Sequence, residues 1–227
     1  MFSETVHAYL IAAWFDAMSP MGDRGLDAFR LAVRLYGESR GRRMAQRCVR
    51  DGEKLTVESY LAYCEWRPSG CAVQEGISNV SQVLEEAPAR KVCISRCPWH
   101  HTFEALGAGE AGRIYCREID AAIARGFSPE FTYRAERTLM EHDACLHVLE
   151  GPMGKKIEMR DTYVQDFRYH CANLHFLFEK TARAVFGAEG GEMAERVIVR
   201  FQERYGDEMT GEMLEMRDTD FMCAPTA

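Results

Sequence analysis

Val92-Cys-Ile-Ser-Arg-Cys97-Pro98-Trp-His-His101 is the stretch on which the reading of the fold turns. Its first six residues alternate. Val92 and Ile94 fall on one face of an extended chain, and Cys93, Ser95 and Cys97 on the other. Pro98 stops the run. Nearly everything around this strand has helical periodicity, so the strand separates an α+β protein from an all-helical one.

Toward the N-terminus, Val6, Leu10, Ala13 and Ala17 recur at spacings of three and four, and Ser19-Pro20-Met21-Gly22 breaks that helix. Leu26, Phe29, Val33 and Tyr36, extended by Met44 and Cys48, predict a second helix that Gly37 and Gly41 weaken. Its one basic run, Arg40-Gly-Arg-Arg43, reads as a solvated helix face. Thr56 caps a third helix carrying Tyr60, Leu61 and Cys64, ended by Pro68-Ser-Gly70. Toward the C-terminus, residues 101–106 and 114–125 read as helices, the second ended by Gly126 with Pro129 beyond. Residues 131–139 and 144–149 flank Glu141-His-Asp143 as a hairpin. Val164, Phe167, Cys171, Leu174, Phe178, Ala182 and Val185 form one further apolar stripe, and Met193, Val197, Phe201, Tyr205 and Met209 another, with Gly187 and Gly190-Gly191 between.

The expected architecture is a single α+β domain over residues 1–227, a small antiparallel sheet packed by helices with helical hairpins at both termini. Residues 1–70 form an N-terminal helical arm, 71–152 an α/β centre, and 153–227 a C-terminal helical hairpin. At an offset of 165 residues Gly22 falls on Gly187, Gly25 on Gly190, Gly41 on Gly206 and Met44 on Met209, so the C-terminal hairpin reads either as a repeat of the N-terminal arm or as a chance alignment of two amphipathic hairpins.

Composition narrows the function. A net charge of -7 argues against a nucleic-acid surface, which needs clustered Lys and Arg. No apolar run approaches the ~20 residues of a membrane span, and the start carries Glu4 and His7 rather than a basic leader, so a soluble, cytoplasmic protein is expected. Nine cysteines at irregular spacing are expected to be thiols rather than a disulfide framework. Gly107-Ala-Gly109-Glu-Ala-Gly112 matches a dinucleotide fingerprint, but Phe103-Glu-Ala-Leu106 before it is helical and no acid stands about twenty residues on, so a helix–helix turn is expected.

The chemistry-bearing residues gather in the centre. Cys93 and Cys97 share a strand face; Cys116 and Asp120 lie at i and i+4 on one helix, with Arg113 a turn earlier; Cys145 and His147 share a face of the hairpin's second strand. All three segments can point into one pocket. Structural zinc on Cys93, Cys97, Cys116 and Cys145, a C-x-x-x-C redox pair, a thiolate nucleophile served by His100, His147 or Arg96, a catalytic zinc, and a cysteine-rich core without chemistry all compete for this pattern. Cys171 and His175 at i, i+4 read as core rather than metal ligands, His7 as a surface residue, and Trp66 and Trp99 as packing that can also line a pocket. The Met and aromatic stripes of the terminal helices suit a homodimer.

Cys97-Pro98, Tyr115-Cys116-x-x-Ile119-Asp120, Gly126-Phe127-Ser-Pro129 and Thr138-Leu139-x-x-x-Asp143-x-Cys145, with Tyr36-Gly37-Glu38-Ser-Arg40-Gly41 upstream, resemble the L-2-amino-thiazoline-4-carboxylic acid hydrolase family over roughly residues 20–150. The chain departs from that pattern at His142-Asp143, where the family usually has Gly-Asp. More distantly, the element order resembles the 4-vinyl-reductase sensory domain, a small-molecule-binding module. The first resemblance implies hydrolysis of a C-N or C-S bond in a small amidine-like heterocycle by Cys97, Cys116, Asp120 and Cys145, with Arg96, His100, Arg113 and His147 binding substrate. It implies no cofactor. Zinc on the four cysteines is the alternative mechanism, and a non-catalytic binding module the alternative function.

Overall fold

A computed structural model describes residues 1–225. The helices are α1 (Glu4–Met18), α2 (Asp23–Arg50), α3 (Val57–Ala62), α4 (Gly70–Gln74), α5 (Pro98–Ala105), α6 (Gly109–Phe127), α7 (Phe167–Phe186) and α8 (Ala188–Leu214). The strands are β1 (Val80–Glu85), β2 (Arg90–Arg96), β3 (Thr132–Arg137) and β4 (Cys145–Glu150), joined in one antiparallel sheet of order β1-β2-β4-β3. This is the expected α+β arrangement. β1 was not expected: it is an exposed edge strand with two register irregularities, so its sequence carries no alternation of buried and exposed residues. None of the helices among the described residues is long and apolar enough to cross a membrane.

α1 packs against α5, α7 and α8 and is buried on nearly all sides, from Val6 through Phe15. Its sequence is apolar almost throughout, which suits a central helix better than a surface one. α2 lies along α6, where glycines let the two backbones touch. A methyl on Gly41 would sit 2.0 Å from the Ile123 carbonyl oxygen, and one on Gly126 would sit 2.3 Å from that of Glu38. A methyl on Gly37 would likewise sit 2.6 Å from the Ala122 Cβ, so the two glycines that weaken α2 as a helix, Gly37 and Gly41, are what let it dock. Thr56 caps α3 in a reciprocal capping box with Ser59.

At the two helical hairpins, Gly22 (φ 64, ψ -145) and Gly187 (φ 63, ψ -128) adopt the same turn. The glycine three residues on comes against the preceding helix in both: a methyl on Gly25 would lie 1.9 Å from the Met18 carbonyl oxygen, and one on Gly190 would lie 2.1 Å from that of Ala182. The hairpins diverge further along, since α2 runs straight through Gly41 while α8 kinks at Gly206 (φ 83). Gly107 (φ 65) turns α5 into α6, the helix–helix role expected of the glycine triplet, while Gly109 and Gly112 lie within α6 itself.

Arg40 and Arg43 overturn the reading of their run as a solvated face, because both are buried. Arg43 donates from Nε (2.9 Å) and Nη2 (2.6 Å) to the two oxygens of Glu65, and Arg47 Nη1 donates to Glu65 Oε1. Arg43 also donates to the Phe221 carbonyl. This cluster ties α2 to the chain after α3 and to the C-terminal segment. His7 is likewise buried rather than on the surface.

Candidate active site

A cavity of about 200 Å³ lies between the inner face of the sheet and helices α2, α5 and α6. By the same measure one water takes roughly 10–15 Å³, so the space suits a small organic molecule. Cys97, Cys116, Asp120, Cys145 and His147 all line it, together with Arg40, Tyr60, Trp66, Trp99, Tyr115 and Tyr133.

Local structure explains the convergence. α6 presents Cys116 and Asp120 from adjacent turns, with Tyr115, Ile119 and Ile123 beside them. β4 pairs Cys145 with Ile94 and His147 with Val92, so both side chains project from the inner face. Cys97 is the N-cap of α5, followed by Pro98 at the first helical position. Trp99, one residue on, turns its ring into the cavity and donates its indole N–H to His7 Nδ1 at 3.1 Å, while His7 Nε2 meets the Tyr36 hydroxyl at 2.9 Å. His7 therefore carries its proton on Nε2 and orients Trp99 from behind.

Three predicted binding residues lie elsewhere. Arg96 is exposed at the end of β2 and donates Nε to the Ser78 carbonyl at 3.0 Å. His100 faces Glu104 on α5, 3.7 Å away: successive helical residues diverge by about 100°, so with Trp99 turned inward His100 turns aside. Arg113 is exposed, two turns and roughly 10 Å along α6 from Asp120. Cys93 also differs from expectation. With Ile94 inward, the two-residue period sends Cys93 to the opposite face, where it lines a second cavity with Leu84, Arg137 and His142. The grouping of Cys93 with Cys97 fails because the strand ladder ends at Arg96 and the chain turns into α5. The four-sulfur zinc set is therefore not assembled. Among the described residues no group of three or more His, Cys, Asp or Glu side chains is placed to hold a metal ion.

His147 Nδ1 meets the Tyr133 hydroxyl at 2.8 Å and lies 3.8 Å from Asp120 Oδ2. Tyr133 had no place in the sequence reading, although the hairpin register puts it diagonally across from His147 on the same face. Burial dominates the acidity of the cavity. It pushes the Cys97 thiol up to about 12, against the pull of the His100 and Trp99 backbone N–H groups, and the Cys145 and Asp120 charges add to the rise. Burial likewise holds Cys116 and the hydroxyls of Tyr60, Tyr115 and Tyr133 well above their usual range. Cys145 is raised by burial, opposed by the Leu139 backbone N–H. The thiols are thus neutral proton donors near pH 7, and Asp120 is the one carboxylate in the lining.

All the cavity's contributors but His147 fall within one stretch of matched sequence. The family model described as L-2-amino-thiazoline-4-carboxylic acid hydrolase matches residues 3–146, from just before α1 into β4, a span that holds Cys97, Cys116, Asp120 and Cys145 and stops one residue short of His147. No curated protein and no solved structure matches the chain. Since the match takes in well over half of the 227 residues, the chain belongs to the L-2-amino-thiazoline-4-carboxylic acid hydrolase family.

Proposed function

We propose that the protein is a hydrolase that opens a small amidine-like heterocycle, of the 2-amino-thiazoline-4-carboxylate kind, by cysteine and aspartate catalysis. The observation that carries this is the meeting of Cys97, Cys116, Cys145, Asp120 and His147 around one small cavity. Family membership supports the substrate class.

In this reading Cys97 is the nucleophile, because the backbone N–H groups at the start of α5 favour its thiolate. A thiol raised by burial is not ionised beforehand, so its proton leaves as it attacks. Asp120 takes that proton while Cys97 Sγ adds to C2, the carbon bonded to the ring sulfur and two nitrogens. The C2–S bond breaks and Asp120 returns the proton to the departing ring sulfur. An isothiourea linked to Cys97 remains. Asp120 next deprotonates a water that adds to the same carbon, and the Cys97 thiol is expelled, protonated by Asp120. The net change is one water consumed, one thiol freed and an N-carbamoyl product. His147, held by Tyr133, steadies Asp120. Cys116 and Cys145 supply neutral S–H groups to the developing charges.

The elevated thiols favour a second reading, a module that binds its ligand without turnover. Incubation with L-2-amino-thiazoline-4-carboxylate, with a thiol reagent following the new sulfhydryl, separates the two. Wild type should release thiol, and Cys97→Ala and Asp120→Asn should each lower kcat by about 10²–10⁴-fold with circular dichroism unchanged. No release by wild type, or full activity in both variants, removes the hydrolase reading.

A further inference from the structure

The cavity holds a guanidinium with no hydrogen-bond or ion-pair partner among the described residues. Arg40 reaches in from α2 and is 8% exposed, yet it makes no hydrogen bond or ion pair among the described residues, and its Nε is buried and unsatisfied. Its guanidinium carbon lies 5.8 Å from the centroid of the Tyr36 ring.

The surroundings do not neutralise it. Both oxygens of Glu65 are taken by Arg43 and Arg47, so three buried guanidiniums stand against one buried carboxylate. His7 and His170, close enough to feel Arg40, are neutral imidazoles, and the Tyr36 and Tyr115 hydroxyls keep their protons. Asp120, the carboxylate in the lining, forms no ion pair with Arg40. The indole N–H of Trp66 is a second buried donor in the same lining without an acceptor. Buried cations in folded proteins are paired, and a planar guanidinium with its donors free fits a carboxylate.

We infer that Arg40 is the anion anchor of the cavity and binds the carboxylate of the small molecule that enters it, with the Trp66 indole N–H as an accessory donor. This rests on the cavity being the ligand site and does not depend on turnover there. A substrate would then lie between two fixed charges, its carboxylate toward Arg40 and its amidine toward Asp120. Neutral heterocycles of the same shape would bind more weakly, because they leave the guanidinium unpaired. The contact expected of Arg96 or Arg113 falls to a residue whose sequence setting reads as surface.

The test uses two non-hydrolysable probes, 2-aminothiazole-4-carboxylate and its neutral 4-carboxamide, titrated calorimetrically into the full-length protein. Wild type should prefer the carboxylate by roughly 10- to 100-fold, the range of a charge-assisted contact. Arg40→Gln should lose that preference while keeping its carboxamide affinity, and Arg40→Lys should recover part of it. Equal binding of the two probes by wild type, binding of neither, or a preference that survives in Arg40→Gln would each overturn the proposal. Thermal unfolding provides a control for folding: removing an unpaired buried charge in Arg40→Met should raise the Tm of the ligand-free protein, and a fall would mean that Arg40 is a structural residue. Carboxylate preference without thiol release would leave Arg40 in place and remove only the hydrolase reading.

Discussion

Mild acid should unload the helical core through three imidazoles. His7, His170 and His175 are each no more than 1% exposed. Burial holds the first two well below the usual histidine range, helped for His7 by His170 and Arg40 and for His170 by Arg40, Arg43 and Arg47. His175 falls to about 4 through burial, opposed by Glu179 and assisted by Arg217, and neither of its ring nitrogens has a hydrogen-bond partner. In the unfolded chain each would titrate near about 6.5. The unfolded state therefore takes up protons that the folded state refuses. The stability is fully present above about pH 6.5 and is lost as pH falls from there toward the folded values. For His175 alone, the interval from about 6.5 down to about 4 amounts to roughly 3 kcal/mol. Below about pH 6 each histidine steepens the decline by about 1.4 kcal/mol per pH unit, so the three together give about 4 kcal/mol per unit. Asp51, Glu150 and Asp220, whose carboxyls are held below their usual range, add their share only nearer pH 4. Urea denaturation followed by circular dichroism, from about pH 7.5 down to about 5, measures the slope. His175→Phe should flatten it by about one proton. Stability constant down to pH 5, or a slope indifferent to His175→Phe, would refute the reasoning.

Three further outcomes are expected. Glu65→Ala strands Arg43 and Arg47 without their carboxylate and should cost about 3–5 kcal/mol, read as a large drop in Tm with no new stable state. Gly41→Ala drives a methyl into the Ile123 carbonyl, 2.0 Å away, where backbone cannot yield, and should separate α2 from α6; the variant should unfold at lower urea and lose ligand binding together. Reaction with a thiol reagent at neutral pH should modify Cys223 first, since it is the exposed cysteine, while Cys97 reacts slowly until the pH approaches 12 or the protein unfolds.

Apart from the five-residue α4, the helices, the β3–β4 hairpin and the central strand were legible because each carries a local signal: the three-and-four spacing in α2 and α7, the alternation of Val92 and Ile94, the cap at Thr56. The same local geometry brought Cys116 beside Asp120 and Cys145 beside His147, and the cavity has all four in its lining. Tyr133 joins His147 only because an irregularity between Ala135 and Arg137 shifts the hairpin register by one residue, which no local signal shows.

Beyond that, tertiary structure decided. Which face of β2 meets the helices is set by what packs on the sheet, and it placed Ile94 inward and Cys93 outward. Where the strand ended, at Arg96, freed Cys97 to cap α5 and enter the cavity. Burial of Arg40 and Arg43 was illegible for the same reason: a basic run on a helix looks the same whether it faces water or a carboxylate from a distant segment. Periodicity along a chain reports which residues share a face. It carries no information about what stands opposite, because that depends on contacts between residues far apart in sequence, and here those contacts set the charge of the cavity.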